Sequence, residues 1–288
     1  ACDFIDDGIK PVYRVTTALG REVKVTLSHP FLTVGGWRPL QQLRVGDRIA
    51  VPRHLPVFGS QEPADAQVKV LAYLLADGCM THTCPQFTNS NPQLRKDFIE
   101  AVAHFPGTRV RVETSRDTRT PTVCVAGDND FVCTQRHQFA SVLSSQIRGK
   151  RGAAAQLAKE IGVSPASITH WSQGKSAPSA ENLVRLSLSL NMPLVDLAPN
   201  GHAAISHNAP NAVRAWLGRI GVWGKPAADK FIPSFVFKMT RAKIALFLNR
   251  LFACDGSVYV LATGQTGLSY STVSKTLARD VQHLLLRF

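Results

Sequence analysis

The sequence predicts a multidomain protein with three parts: an all-β N-terminal unit, an α+β body built from two copies of one plan, and an all-α insert between the copies. Three observations predict it. Period-two alternation runs through residues 9–53, an apolar helical run ending in Asp-Gly occurs twice, and residues 134–200 carry helical signals only.

The N-terminal unit rests on "PVYRVTTA" and "REVKVTLS", which alternate apolar and polar residues on either side of the turn "LG". "FLTVGGW" and "RIAVPR" read as further short strands. In the body, residues 66–127 read α-β-β-α-β-β. A helix covers about 66–77 and strands follow near 79–89. A second helix has Asn91 as N-cap and Pro92 at its first position, and the hairpin "TRVRVETS"/"TPTVCVAG" completes the unit. In the first strand of that hairpin Val110 and Val112 take one face, while Arg109, Arg111 and Glu113 take the other. Residues 241–288 repeat the order: a helix over 241–254, strands near 257–262 and 267–271, then the helix "SKTLARDVQHLLLRF".

Composition narrows the function. The chain has 288 residues, 44% of them hydrophobic, enough for about two cored domains. No segment approaches the roughly 18 uninterrupted apolar residues of a spanning helix. The opening "ACDFIDDGIK" is acidic and lacks the apolar stretch of a signal peptide. Six scattered cysteines make no disulfide framework, which points to a reducing, cytoplasmic setting. "CMTHTC" matches no common zinc spacing and reads as buried thiols. The net charge of +13 points to a polyanion, with nucleic acid first.

The repeated ending carries the chemistry. A glycine after a helix is an ordinary C-cap, but a carboxylate at a helix C-terminus opposes the macrodipole. Two such endings, Asp77-Gly78 and Asp255-Gly256, are explained if the helices lie side by side. Their acids then converge, and divalent cations offset the repulsion between them.

"VLAYLLADG" (70–78) and "FLNRLFACDG" (247–256) resemble the paired motifs of LAGLIDADG homing endonucleases. The resemblance implies two pseudo-twofold αββαββ halves, the second truncated, whose sheets form a saddle on double-stranded DNA with a long asymmetric target. It implies Asp77 and Asp255 as catalytic ligands of Mg²⁺, assisted by the backbone carbonyls of Ala76 and Cys254. It places Arg109 and Arg111 on the DNA side. In "DKFIPSFVF" the residue Lys230 resembles a lysine found upstream of the second motif, implying charge stabilisation at the phosphate. One departure stands out: the interface position that is small in the first motif, Ala72, is Arg250 in the second. Arg cannot allow the same close approach, so the resemblance predicts altered helix contact or a shifted register there.

"LGREVKVTLSHPFLTVGGWRPLQQLRVGDRIAVPR" resembles the N-terminal splicing region of inteins, particularly those of replicative DNA helicases. This implies a partial Hint-type domain in which Thr26 and His29 polarise a splice-junction amide, with the host helicase as flanking extein. The opening residues resemble a later strand rather than the nucleophile block, with Cys2 a weak candidate for the nucleophile, and "HLLLRF" lacks a His-Asn pair. Splicing by this chain alone is therefore not expected; the missing intein segments would be partners.

The insert "AAAQLAKEIGVSPASITHWSQGKSAPSAENLVRLSLSLNM" resembles a Cro/repressor-type helix-turn-helix. Its third helix would offer Ser164, Ala166, Ser167, Thr169 and His170 to the major groove, with Lys175 on phosphate. The expected domains are 1–60 (partial Hint), 64–133 and 205–288 (endonuclease halves) and 134–204 (insert). The combined expectation is an intein-borne, Mg²⁺-dependent homing endonuclease. A degenerate DNA-binding domain and a splicing-only element are the alternatives.

Overall fold

The computed structural model describes residues 6, 8–114, 120–207 and 209–288. Cys2 lies outside them. The N-terminal unit consists of two separate hairpins, β1 (Tyr13–Thr16) with β2 (Glu22–Val25) and β3 (Pro30–Thr33) with β4 (Gly36–Pro39). "RIAVPR" forms no strand; it contributes one bridge, Ile49 to Thr33. The reason lies in the burial: Val34, Trp37 and Val45 are exposed and only Val25 is buried, so no second layer orders a further strand. Residues 54–61 then run along the C-terminal half. Leu55 N–H donates to the Leu286 carbonyl at 2.7 Å, and Gln61 bridges Met239 in parallel.

The first body unit is α1 (Asp65–Leu75), β5 (Gly78–Cys79), β6 (Gln86–Thr88), α2 (Pro92–Val102), β7 (Thr108–Glu113) and β8 (Thr122–Gly127). Its four strands are antiparallel in the order β5-β6-β8-β7. Asn91 caps α2 as expected, accepting from the Gln93 and Leu94 N–H groups. Next come α3 (Asn129–Ile147), α4 (Ala153–Ile161), α5 (Pro165–Ser172), α6 (Ala180–Ser189) and the short α7 (Leu194–Leu197) and α8 (His202–Ile205). The first of these, α3, is one unbroken helix through residue 134. The second body unit comprises α9 (Ala212–Arg219), α10 (Arg241–Asp255), β9 (Gly256–Val260), β10 (Thr266–Tyr270) and α11 (Lys275–Leu285). Here, among the described residues, the sheet is the β9–β10 pair.

One continuous core joins the two body units, with Leu71, Leu74, Phe87, Phe98, Phe247, Leu251 and Leu284 fully buried. Each such side chain contributes roughly 1.5–3 kcal/mol. A second core, around Phe139, Leu143, Ile168 and Trp171, belongs to the insert.

Helices α1 and α10 lie against each other, parallel and in register. Equivalent positions meet at their N-terminal ends, where Lys243 Nζ lies 2.5 Å from Asp65 Oδ1. The glycines that follow the two acids are not left-handed C-caps. Gly256 has φ −91° and ψ 151°, an extended conformation. The helix ends are instead so tightly joined to the strands that side chains do not fit. A Cβ on Gly78 would lie 2.5 Å from the Leu74 carbonyl oxygen, and one on Gly256 2.5 Å from that of Phe252. Both helices therefore turn directly into their strands, and this delivers the acids to the sheet end of the interface.

Candidate active site

Asp77 and Asp255 close the C-terminal ends of α1 and α10. Each acid's carbonyl is tied to the strand that returns beside it: Thr88 N–H donates to Asp77 at 3.1 Å and Ser271 N–H to Asp255 at 3.2 Å. The two side chains share an electrostatic environment. Burial, and then the Asp77 charge, hold the Asp255 carboxyl above the usual carboxylate range, against the pull of Lys230. The half-buried Cys254 thiol beside Asp77 is pushed up by burial and by both carboxylates. The two helix ends thus lie near enough for each acid to feel the other's charge.

Each acid has a different companion. The Asn89 side-chain amide donates to Asp77 Oδ2 at 2.6 Å, and its own Oδ1 accepts from the Asn91 N–H at 2.8 Å. On the other side stands Tyr270, whose buried hydroxyl lies beside Asp255; burial and the Asp255 charge raise its pKa. Neither companion was expected from sequence. The Asx turn in "TNSNP" was a signal for Asn89. Tyr270 had no signal, because only the fold brings it to Asp255.

Lys230 is 5% exposed and sits between the two motif ends. Its ammonium donates to the carbonyls of Leu74 at 3.1 Å, Ala76 at 3.0 Å and Gly78 at 2.8 Å. Burial lowers its pKa, while Asp255 and Asp77 oppose the shift. The lysine therefore takes the place of a C-cap for α1, satisfying carbonyls that a helix end leaves orphaned. The Ala76 carbonyl, expected to face a metal, faces this ammonium instead. Cys79 follows on the sheet. Burial raises its thiol pKa, but hydrogen bonds from Thr81 and His82 and the Lys230 charge outweigh that and lower it.

The remaining predicted residues lie on two other surfaces. Arg109 and Arg111 are exposed on β7, opposite Ala126 and Cys124, on the sheet face away from the core. Arg111 is ion-paired with Glu113. In the insert, Ser164 caps α5, accepting from the Ser167 N–H at 3.2 Å. Ala166, Thr169, His170 and Lys175 are exposed and Ser167 is half-buried, while Ile168 and Trp171 turn inward. Thr26 and His29 lie in the N-terminal unit. The Thr26 and Ser28 hydroxyls are 3.1 Å apart, and the His29 ring stands edge-on to Phe31 at 5.2 Å. Among the described residues no interaction connects them to the carboxylate pair.

Residues 242–288 match the LAGLIDADG-like domain, and residues 147–197 match a helix-turn-helix. Both domains imply DNA binding. The replicative DNA helicase DnaB of Rhodothermus marinus is 30% identical over 97% of this chain and 22% of its own length. That of Synechocystis sp. is 25% identical over 97% of the chain and 24% of its length. Protein RecA of Mycobacterium tuberculosis is 27% identical over 99% of the chain and 26% of its length. The chain thus spans about a quarter of the length of these relatives. Among the described residues no helix is long and apolar enough to cross a membrane.

The donor chemistry suits magnesium. Two neighbouring carboxylates are the kind of oxygen donors Mg²⁺ takes when phosphate oxygens and water complete its shell. The Asp77 charge helps to hold the Asp255 carboxyl up even with Lys230 opposing it, a repulsion that a divalent cation between the two acids would relieve. Among the described residues no group of three or more His, Cys, Asp or Glu is arranged to hold a metal ion.

Proposed function

We propose that the chain is a site-specific double-stranded DNA endonuclease carried within an intein. The convergence of Asp77 and Asp255 at the ends of two in-register helices carries this reading. Asp77 and Asp255 would hold Mg²⁺, which when bound supplies Lewis acidity and an activated water. Asn89 fixes the direction of the Asp77 oxygens. Lys230 holds the 74–78 backbone and keeps a positive charge under the carboxylates, where phosphate charge develops. The sheet face with Arg109 and Arg111 would contact the duplex. Helix α5, through Ser164, Ala166, Ser167, Thr169 and His170, would read a major groove nearby, with Lys175 on phosphate. Tethering the two readers lengthens the footprint and raises effective concentration.

The intein assignment is supported by how the relatives align. Nearly the whole chain matches a minor part of proteins that carry different names, as a segment inserted in different hosts would. Residues 1–60 would then be part of a Hint domain. There Thr26 and the exposed His29 would act at a splice junction, with the host helicase as extein and further intein segments completing the domain.

The test is cleavage of a plasmid carrying the uninterrupted helicase gene in Mg²⁺. The wild-type chain should give one double-strand break. Asp77→Asn should give none while retarding the same DNA in a gel. A cut by the variant would overturn the metal assignment. Gel retention without a wild-type break would favour a second reading, a DNA-binding domain without cleavage. One observation speaks for that reading: the Lys230 ammonium is committed to three carbonyls.

A further inference from the structure

Arg250 occupies the position equivalent to the fully buried Ala72, yet α1 and α10 still share one core. The register is not shifted; the contact at this position is altered instead. Its guanidinium leaves the interface sideways and donates from Nε to Asp97 Oδ2 of the other half at 2.7 Å. Asp97, on α2, also accepts from Tyr73 Oη at 2.7 Å and from Lys69 Nζ at 2.7 Å, both on α1. One carboxylate with 20% side-chain exposure therefore ties three helices from both halves.

The second half offers a control. Asp97 is the sixth residue after the cap Asn91, and Asp280 is the sixth after the cap Ser274. Asp280 accepts the Ile232 N–H at 2.9 Å, within its own half. The bond across the halves is thus a property of Asp97, not of the repeated plan. Tyr73 lies one helical turn before Asp77, and Arg250 lies five residues before Asp255. The ion pair Asp65–Lys243, also across the halves, sits at the far end with its carboxylate 63% exposed, where such pairs contribute little.

We propose that Asp97, through Arg250, Tyr73 and Lys69, is a positioning residue that sets the sliding register of α10 on α1 and thereby the separation of Asp77 and Asp255. It rests on the nuclease reading for its consequence, though not for its geometry. A slip of one residue along a helix is about 1.5 Å. A shared cation tolerates far less, since Mg²⁺ binds oxygen at about 2.0–2.1 Å in near-ideal octahedral geometry.

The experiment compares Asp97→Asn, Arg250→Met and Arg250→Lys with wild type in the full chain. Two readouts are used: cleavage kcat with saturating DNA, and Tb³⁺ luminescence titration, with Asp77→Asn as the null for metal binding. Asp97→Asn and Arg250→Met should lower kcat about 10–100-fold, the scale set by a sub-ångström to 1 Å misplacement. They should also weaken Tb³⁺ binding several-fold, with the DNA Kd within about threefold of wild type. Arg250→Lys, which keeps a cation for Asp97, should recover most of both. Unchanged Tb³⁺ affinity and kcat in Asp97→Asn and Arg250→Met would overturn the proposal, as would Arg250→Lys behaving no better than Arg250→Met. A wild-type chain that binds Tb³⁺ but cuts no DNA would sink the nuclease reading alone. The Tb³⁺ titrations would then still decide the positioning role. Should Asp97→Asn fail to fold, the two Arg250 variants decide it.

Discussion

The two halves of the body run the same plan on different terms. In the first, Phe87 packs its ring on Tyr73 and Phe98, and the acid is held from two residues further on by Asn89. In the second, the residue in register with Phe87 is Tyr270, which carries a hydroxyl to its own acid, and Thr272 stands in for Asn89. Thr272 keeps the turn, accepting the Ser274 N–H as Asn89 accepts that of Asn91, but has no amide to reach a carboxylate. Among the described residues the first half also has four strands and the second two. Val258, Val260 and Leu268 of the second sheet remain exposed, whereas Phe87 and Val123 of the first are buried. The duplication preserved the backbone device that joins helix, glycine and strand. The contacts around each acid diverged, so the pair is chemically asymmetric.

That contrast can be broken at graded cost. The largest effect should come from Phe87→Ala, where loss of a fully buried ring costs about 3–5 kcal/mol in urea unfolding. The caps come next. Ser274 is fully buried, donates to the Lys230 carbonyl at 2.5 Å and accepts from Leu277 N–H at 3.1 Å. Ser274→Ala should cost about 2 kcal/mol, because it leaves a buried carbonyl without its donor. Asn91→Ala, at an exposed cap, should cost about 1 kcal/mol by the same measurement. Equal costs for the two caps would mean that the Ser274–Lys230 link contributes nothing to stability.

The smallest effect has the opposite sign. The folded Asp255 carboxyl titrates above its unfolded value because of burial and Asp77. The folded chain therefore holds the proton more tightly, and stability is lost as pH rises from the unfolded to the folded pKa. Above the folded pKa the whole penalty is in force. Asp255→Asn should thus raise the melting temperature slightly at pH 7, with the gain vanishing below the unfolded carboxylate pKa. Asp97 behaves in reverse. Burial raises its pKa, but the bonds from Lys69, Tyr73 and Arg250 outweigh that and leave it lowered. Its stabilisation is present above the unfolded pKa and is lost as pH falls. Asp97→Asn should lower the melting temperature at pH 7. Thermal scans at pH 7 and in acid check both signs.

Much of the plan was legible in the residues. Helical runs with Asp-Gly endings, the Asn91-Pro92 cap and the Ser164 cap of α5 each depend on near neighbours in the chain, and each element formed where those signals stood. The strand expected at "RIAVPR" did not, because a strand needs a run of partners across a sheet, and among the described residues the N-terminal unit supplies a bridge at Thr33 and one backbone bond at the Leu32 carbonyl. The glycines after the acids were misread for a related reason. Sequence suggests a left-handed cap after a helix, but the steric limit here is a carbonyl one turn back against an incoming strand.

By itself the sequence determined that the protein is basic, duplicated and armed with two acids, 77 and 255, at equivalent helix ends, with a helix-turn-helix set between. Only the tertiary structure decided that those ends meet and that Lys230 caps α1 from 152 residues away or more. It also decided that Arg250 escapes the interface toward Asp97 and that Asn89 and Tyr270 attend different acids. The physical reason is range. Caps, periodicity and charge act over a few residues, whereas desolvation and ion pairing depend on which surfaces close together.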